Sequence, residues 1–150
     1  MKSLARMIGF SLIFACTPNI KDSSPARVLE NYIQISFQST SLQDKKRMEE
    51  LLTGDTKLRL QAWSDEQFTK SFLGLKRKFL GLKILESKKV SDHEVALTYE
   101  LTYEEGPLGK SAQITQRKLS NIVFEANVWK IKEVRSIRES IEFLEELGLP

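Results

Sequence analysis

The chain contains one cysteine and one histidine among its 150 residues, and these two scarcities exclude whole classes of chemistry. With Cys16 alone there is no internal disulfide, so a folded body must be held together by its apolar core. With His93 alone, flanked by Asp92 and Glu94, imidazole-based metal coordination lacks partners, and the carboxylates follow no recognisable ligand-loop spacing. A nucleophilic serine would have to use His93 as its base, yet no nucleophile-elbow pattern accompanies it. His93 therefore reads as a solvated turn residue, and no catalytic residue, metal ligand or cofactor is expected. Glycine is sparse as well. Its densest group, Gly106, Pro107 and Gly109, reads as a hairpin turn and not as a phosphate cradle. Nowhere does the chain reach the roughly 20 consecutive apolar residues of a membrane-spanning helix.

A strong charge of one sign is also missing. Of the 23 Lys and Arg, two (Lys2 and Arg6) fall in the first six residues, which leaves 21 against 20 Asp and Glu, a formal +1. A footprint on phosphates needs clustered excess cations, so no nucleic-acid partner is expected. The run Lys76, Arg77 and Lys78, followed by Lys83, Lys88 and Lys89, reads as a solvated face. Contact with anionic lipid headgroups is the alternative reading.

What is present begins with MKSLARMIGFSLIFAC. Lys2 and Arg6 form a cationic tip, Met7 to Ala15 is apolar but too short to span a bilayer, and small Ala15 precedes Cys16. This is the pattern of an export leader. Its ending, LIFAC, resembles the lipoprotein signal of bacteria on the strength of Ile13, Ala15 and Cys16. That resemblance implies a signal peptide over 1–15 and a diacylglyceryl group on the Cys16 thiol, which then anchors the protein to a membrane. Thr17 is not the Asp linked to inner-membrane retention, so the resemblance implies the outer membrane, facing the periplasm. Ordinary secretion with cleavage after Ala15 and an uncleaved anchor are the alternatives; Ile13 suits ordinary cleavage poorly. Residues 16–24 form a polar tether that reaches roughly 25 Å fully extended. Residues 25–150 form one domain, since a chain of this length supports a single core.

Within that domain the hydrophobic period changes once. Ser24 and Pro25 open a first helix with Val28, Leu29, Tyr32, Ile33, Ile35 and Phe37 on its apolar face, ending near Ser39. Ser41 and Asp44 predict a capping box for a second helix, which carries Met48, Leu51 and Leu52 and ends at Gly54. Leu58, Leu60 and Trp63 predict a short helical turn, and Ser64 with Gln67 a second capping box before Phe68 and Phe72. After Gly81 the pattern alternates. Leu82, Ile84 and Val90 mark one strand; Val95, Leu97, Tyr99, Leu101 and Tyr103 share one face of the next, with Glu100 and Glu104 opposite. A third strand runs from about Lys110 to Glu125 with a bulge near Leu119 to Asn121, and VWKIKEV forms the fourth. Ile137, Ile141, Leu144 and Leu147 follow a helical stripe, with Gly148 and Pro150 as stop signals. The expected class is α+β: N-terminal helices packed on a curved four-stranded antiparallel sheet, with a C-terminal helix.

This order, with SPARVLENYIQ early and NVWKIKEV late, resembles the nuclear transport factor two-like, cystatin-like cone superfamily over roughly Pro25 to Val134. The resemblance implies a first helix cradled by a bent sheet. It confers no activity by itself, because relatives include both isomerases or dehydratases and proteins without catalysis. Tyr99, Tyr103 and Trp129 are the candidate ligand-binding residues: the two tyrosines share the apolar face of their strand near the expected position of Trp129, and their hydroxyls would orient a small apolar ligand; plain core packing is the alternative. The leading reading is a non-enzymatic, membrane-anchored binding or interaction domain, its partner an envelope protein or a small apolar ligand. A small cone-fold enzyme and a structural component of an envelope complex are the alternatives.

Overall fold

The Ser24 hydroxyl accepts the Arg27 backbone N–H at 3.2 Å and Pro25 occupies the first turn, so α1 (Pro25–Gln38) starts where its capping chemistry dictates. Its far end is closed by hydroxyls: Ser36 donates to the Ile33 carbonyl and Ser39 to that of Ile35, each at 2.7 Å. The computed structural model describes residues 24–106 and 112–143. The expected leader 1–15, Cys16 and the expected tether as far as Ser23 lie outside the described residues, as do Pro107, Gly109, Lys110, Leu144, Leu147, Gly148 and Pro150.

The corner into α2 (Gln43–Glu50) is organised by Asp44. Its carboxylate accepts the backbone N–H groups of Thr40 at 3.0 Å and Ser41 at 3.3 Å, and Arg47 Nη1 lies 2.9 Å away. Those donors hold its pKa below the ordinary carboxylate range, with the Thr40 N–H the largest cause. The expected capping box is thus half present. Asp44 reaches back, but Leu42 occupies the cap position and the Ser41 hydroxyl caps nothing. Nor does Gly54 end this helix. Leu51 to Thr53 leaves the helical path to pair with Ile131, its backbone bonds running from Ile131 N–H to Leu51 O and from Thr53 N–H to Ile131 O, both 2.9 Å. Gly54, at φ +57°, then opens α3 (Gly54–Ala62), the left-handed step that turns the chain back into a helix.

The capping box at Ser64 and Gln67 is complete and starts α4 (Asp65–Phe68), which continues into a π-helical turn over Thr69–Leu73. Within this widened turn Phe68 and Phe72 stack with ring centroids 4.8 Å apart. Lys45 Nζ donates to the Trp63 carbonyl at 2.6 Å and ties α2 to this corner.

The strands β1 (Arg77–Ser91), β2 (Glu94–Glu105), β3 (Ala112–Glu125) and β4 (Val128–Phe143) form an open antiparallel sheet in the order β1-β2-β3-β4. Ala126 and Asn127, both at positive φ, make the tight turn between β3 and β4. The register slips at Leu80, Leu85 and Val90 of β1, each an apolar, exposed residue with no partner on β2. On the opposite edge it slips at Lys132 and Ile137 of β4. Bulges bend a strand and spoil an edge as a template for further pairing, so both edges of the sheet are protected in the same way. The bulge expected near Leu119 to Asn121 falls at that level of the sheet, but the extra residue belongs to β4: β3 stays in unbroken register with β2.

The expected C-terminal helix is corrected to a strand. Ile137 and Ile141 lie in β4, which pairs with β3 as far as Phe143 opposite Ala112. A spacing of four suits one face of a helix and one face of a strand alike, so Ile137 and Ile141 alone do not separate the two. Across the bulge at Ile137, Val134, Ser136, Glu139 and Ile141 oppose Ser120, Lys118, Gln116 and Ile114. The fold is therefore α+β, helices first and four strands after, with α1 packed against β1, β3 and β4 and α3 against β4. Leu29, Met48, Leu52, Phe68, Leu97, Ile122 and Ile131 are fully buried between the layers.

Candidate functional site

Along β2 the alternation works as expected: Leu97, Tyr99, Leu101 and Tyr103 face the helices and are buried, while Glu100 and Glu104 face outward and pair with Arg117 at 2.7 Å and Lys78 at 3.5 Å. The helices do not fill all the space over that face. Between α1, the π-helical turn and the sheet lies a cavity of about 500 Å³, within the range that receives small organic ligands. Its walls are largely aromatic, with Tyr32 and Phe37 from α1, Trp63 and Phe72 from the helical corner, and Tyr99 and Tyr103 from β2. Phe37 anchors one end, 5.4 Å from Tyr103 and 5.6 Å from Phe79 between ring centroids.

Polar wall residues come from the helical layer, with Ser36, Thr56, Lys70 and Ser71, and from β1 and β3. Arg77 Nη2 donates to the Ser71 carbonyl at 2.6 Å, and its guanidinium lies 5.8 Å from the Phe37 ring and 6.0 Å from that of Tyr103, a cation against two π faces. Lys118 sits opposite Tyr99 in the ladder and Gln116 opposite Leu101, the amide of Gln116 bonding to Glu139. Desolvation lowers the Lys118 pKa; Glu139 opposes that shift and Arg77 adds to it. Burial raises the pKa of Tyr32 and of Tyr99, the latter also through Tyr32, and raises that of Tyr103, so these phenols stay protonated and serve as neutral hydrogen-bond donors. Among the described residues none of the three hydroxyls is hydrogen-bonded to another protein group.

The structure brings two of the three candidate ligand residues together and separates the third. Tyr99 and Tyr103 line this cavity; Trp129 packs on Phe124 with ring centroids 5.2 Å apart and lines a second cavity with Ala26, Ile84, Val95 and Leu97. His93 occupies the turn between β1 and β2 and lines neither cavity; its ring stacks on Phe124 with centroids 6.3 Å apart and its carbonyl accepts the Phe124 N–H at 2.8 Å. Sequence reasoning missed Arg77, Gln116 and Lys118. The signal was available for two of them: Gln116 and Lys118 fall in phase with Ile114, Ser120 and Ile122, polar groups at positions whose neighbours are core. Among the described residues no group of three or more His, Cys, Asp or Glu converges on a point that could hold a metal ion, and no helix is long and apolar enough to cross a membrane.

No protein-family model matches the chain, and neither does any curated protein.

Proposed function

We propose that this protein is a lipid-anchored bacterial envelope lipoprotein whose cone-like α+β domain is a non-enzymatic binding module, receiving a small apolar ligand in the cavity between α1 and the sheet. The observation that carries the binding reading is the wall itself: six aromatic rings around one space, with three phenol groups that bond to no protein group among the described residues. Rings supply apolar contact at little entropic cost, and unpaired hydroxyls orient what enters. General acid–base catalysis is less well served. The described lining holds no Asp, Glu or His, and its phenols titrate too high to act as bases near neutrality.

Anchoring rests on the leader pattern and Cys16. Each buried methylene of an acyl chain contributes about 0.8 kcal/mol, so two or three chains make release negligible. Mass spectrometry of the mature amino terminus is expected to find Cys16 first and carrying a diacylglyceryl group. High-salt washing should leave the wild-type protein on membranes and release Cys16→Ser; equal release of the two would defeat the anchor. For the cavity, the neutral fluorophore phenylnaphthylamine should bind one-to-one. Ser36→Trp, which fills the space from the α1 side, should abolish that binding while cooperative unfolding is retained.

A further inference from the structure

Every charged side chain among the described residues of the cavity wall is a cation: Lys70, Arg77 and Lys118. Their existing commitments differ. Lys70 is exposed and paired with Glu66 at 2.8 Å, so its charge is already answered. Arg77 is held in place by the Ser71 carbonyl and the two aromatic faces, with Glu105 at the limit of ion pairing, 4.0 Å away. Lys118 is half-buried and, among the described residues, makes neither an ion pair nor a hydrogen bond. The carboxylate of Glu139 accepts the neutral Gln116 amide and acts on Lys118 only from outside the lining, without an ion pair. Two like charges thus border one aromatic space whose described lining holds no carboxylate.

Resting on the reading of this space as a ligand site, we infer that its ligand is an amphipathic organic anion, a carboxylate or sulfonate whose head lies between Arg77 and Lys118 and whose apolar body lies against Tyr32, Phe37, Tyr99 and Tyr103. A negative head relieves the mutual repulsion of the two cations and gives Lys118 the partner it lacks, and charge-assisted bonds of this kind are stronger than neutral ones. The buried phenols donate to the same oxygens without competing for the charge. A neutral ligand would leave the repulsion in place, and a cationic one would add to it.

Two fluorophores of similar shape separate this inference from the reading beneath it: anilinonaphthalenesulfonate, which is anionic, and phenylnaphthylamine, which is neutral. The wild-type domain should bind the anion at least tenfold more tightly than the neutral probe, and decanoate should displace it where decanol does not. Lys118→Met should remove about tenfold of the affinity for the anion while leaving the neutral probe bound, which also reports an intact cavity; Lys118→Arg should restore most of the loss. Equal affinity for the two probes, or an anion affinity unmoved by Lys118→Met, overturns the charge inference and leaves the cavity reading standing. Binding of neither probe overturns both.

Discussion

The same four strands support two different interiors. Around Leu52, Ile122 and Ile131 the helix-covered face is aliphatic and closed, and the Leu51 to Thr53 segment lies directly along β4. Two to six residues beyond Leu97 along β2, Tyr99 and Tyr103 replace aliphatics, Gln116 and Lys118 stand where β3 would otherwise place apolar residues, and the helices arch over a cavity. Tyr99 is as hidden as its neighbours, at 2% exposure. What distinguishes the second region is therefore not burial but the polarity that borders its open space. Among the described residues the fully buried side-chain atom without a partner is Asn121 Oδ1, outside this lining, so the polar groups of the cavity face space in which they can meet a ligand.

That contrast can be broken most forcefully from the closed side. Phe68→Ala, which removes a fully buried ring stacked on Phe72, should cost about 3–5 kcal/mol in a urea titration. At the α1–α2 corner, Asp44→Asn should cost about 1–3 kcal/mol by weakening bonds made to a charged acceptor. The sign with pH follows: the folded-state pKa of Asp44 is depressed, so its contribution is present above the ordinary carboxylate range and fades as pH falls through the folded value. Asp44→Asn should flatten that acid slope.

On the cavity side the expected effects are smaller and opposite in direction. Lys118→Met should leave stability unchanged or raise it by up to about 1 kcal/mol at neutral pH, because the folded state binds the Lys118 proton more weakly than the unfolded chain. Tyr99→Phe should be nearly neutral below the ordinary tyrosine range. Above it, the wild-type protein loses stability as pH rises toward the raised folded-state pKa, since the unfolded chain gives up that proton first, and Tyr99→Phe should lose less. Ile141→Ser, at a position 53% exposed on the open end of β4, should change stability by no more than about 0.5 kcal/mol. A loss from Lys118→Met or Tyr99→Phe as large as that from Phe68→Ala would mean that both regions are ordinary core.

Much of this architecture is readable in the amino-acid order because its causes are local. Ser24 before Pro25, Ser64 three residues before Gln67, and the strict alternation from Val95 to Tyr103 each act within a few residues, and each predicts an element that is present. The failures share another cause. Gly54 looks like a helix terminator until Ile131, far along the chain, draws Leu51 to Thr53 into a bridge. Ile137 and Ile141, four apart, suit a helix and a strand equally, and pairing with β3 decides for the strand. Trp129 has the composition of a site residue, but its turn delivers it to a different cavity from that of Tyr99 and Tyr103.

The amino-acid order by itself determined the change from helical to alternating period, the caps at Ser24 and Ser64 and the inward face of β2, since periodicity and capping are short-range properties. Only the tertiary structure decided that Ile137 and Ile141 lie in an edge strand, that the space above Tyr99 stays open, and that Arg77 from β1 and Lys118 from β3 line the same cavity. Register and cavity shape are set by long-range pairing, in which one extra residue on an edge strand moves every side chain beyond it to the other face.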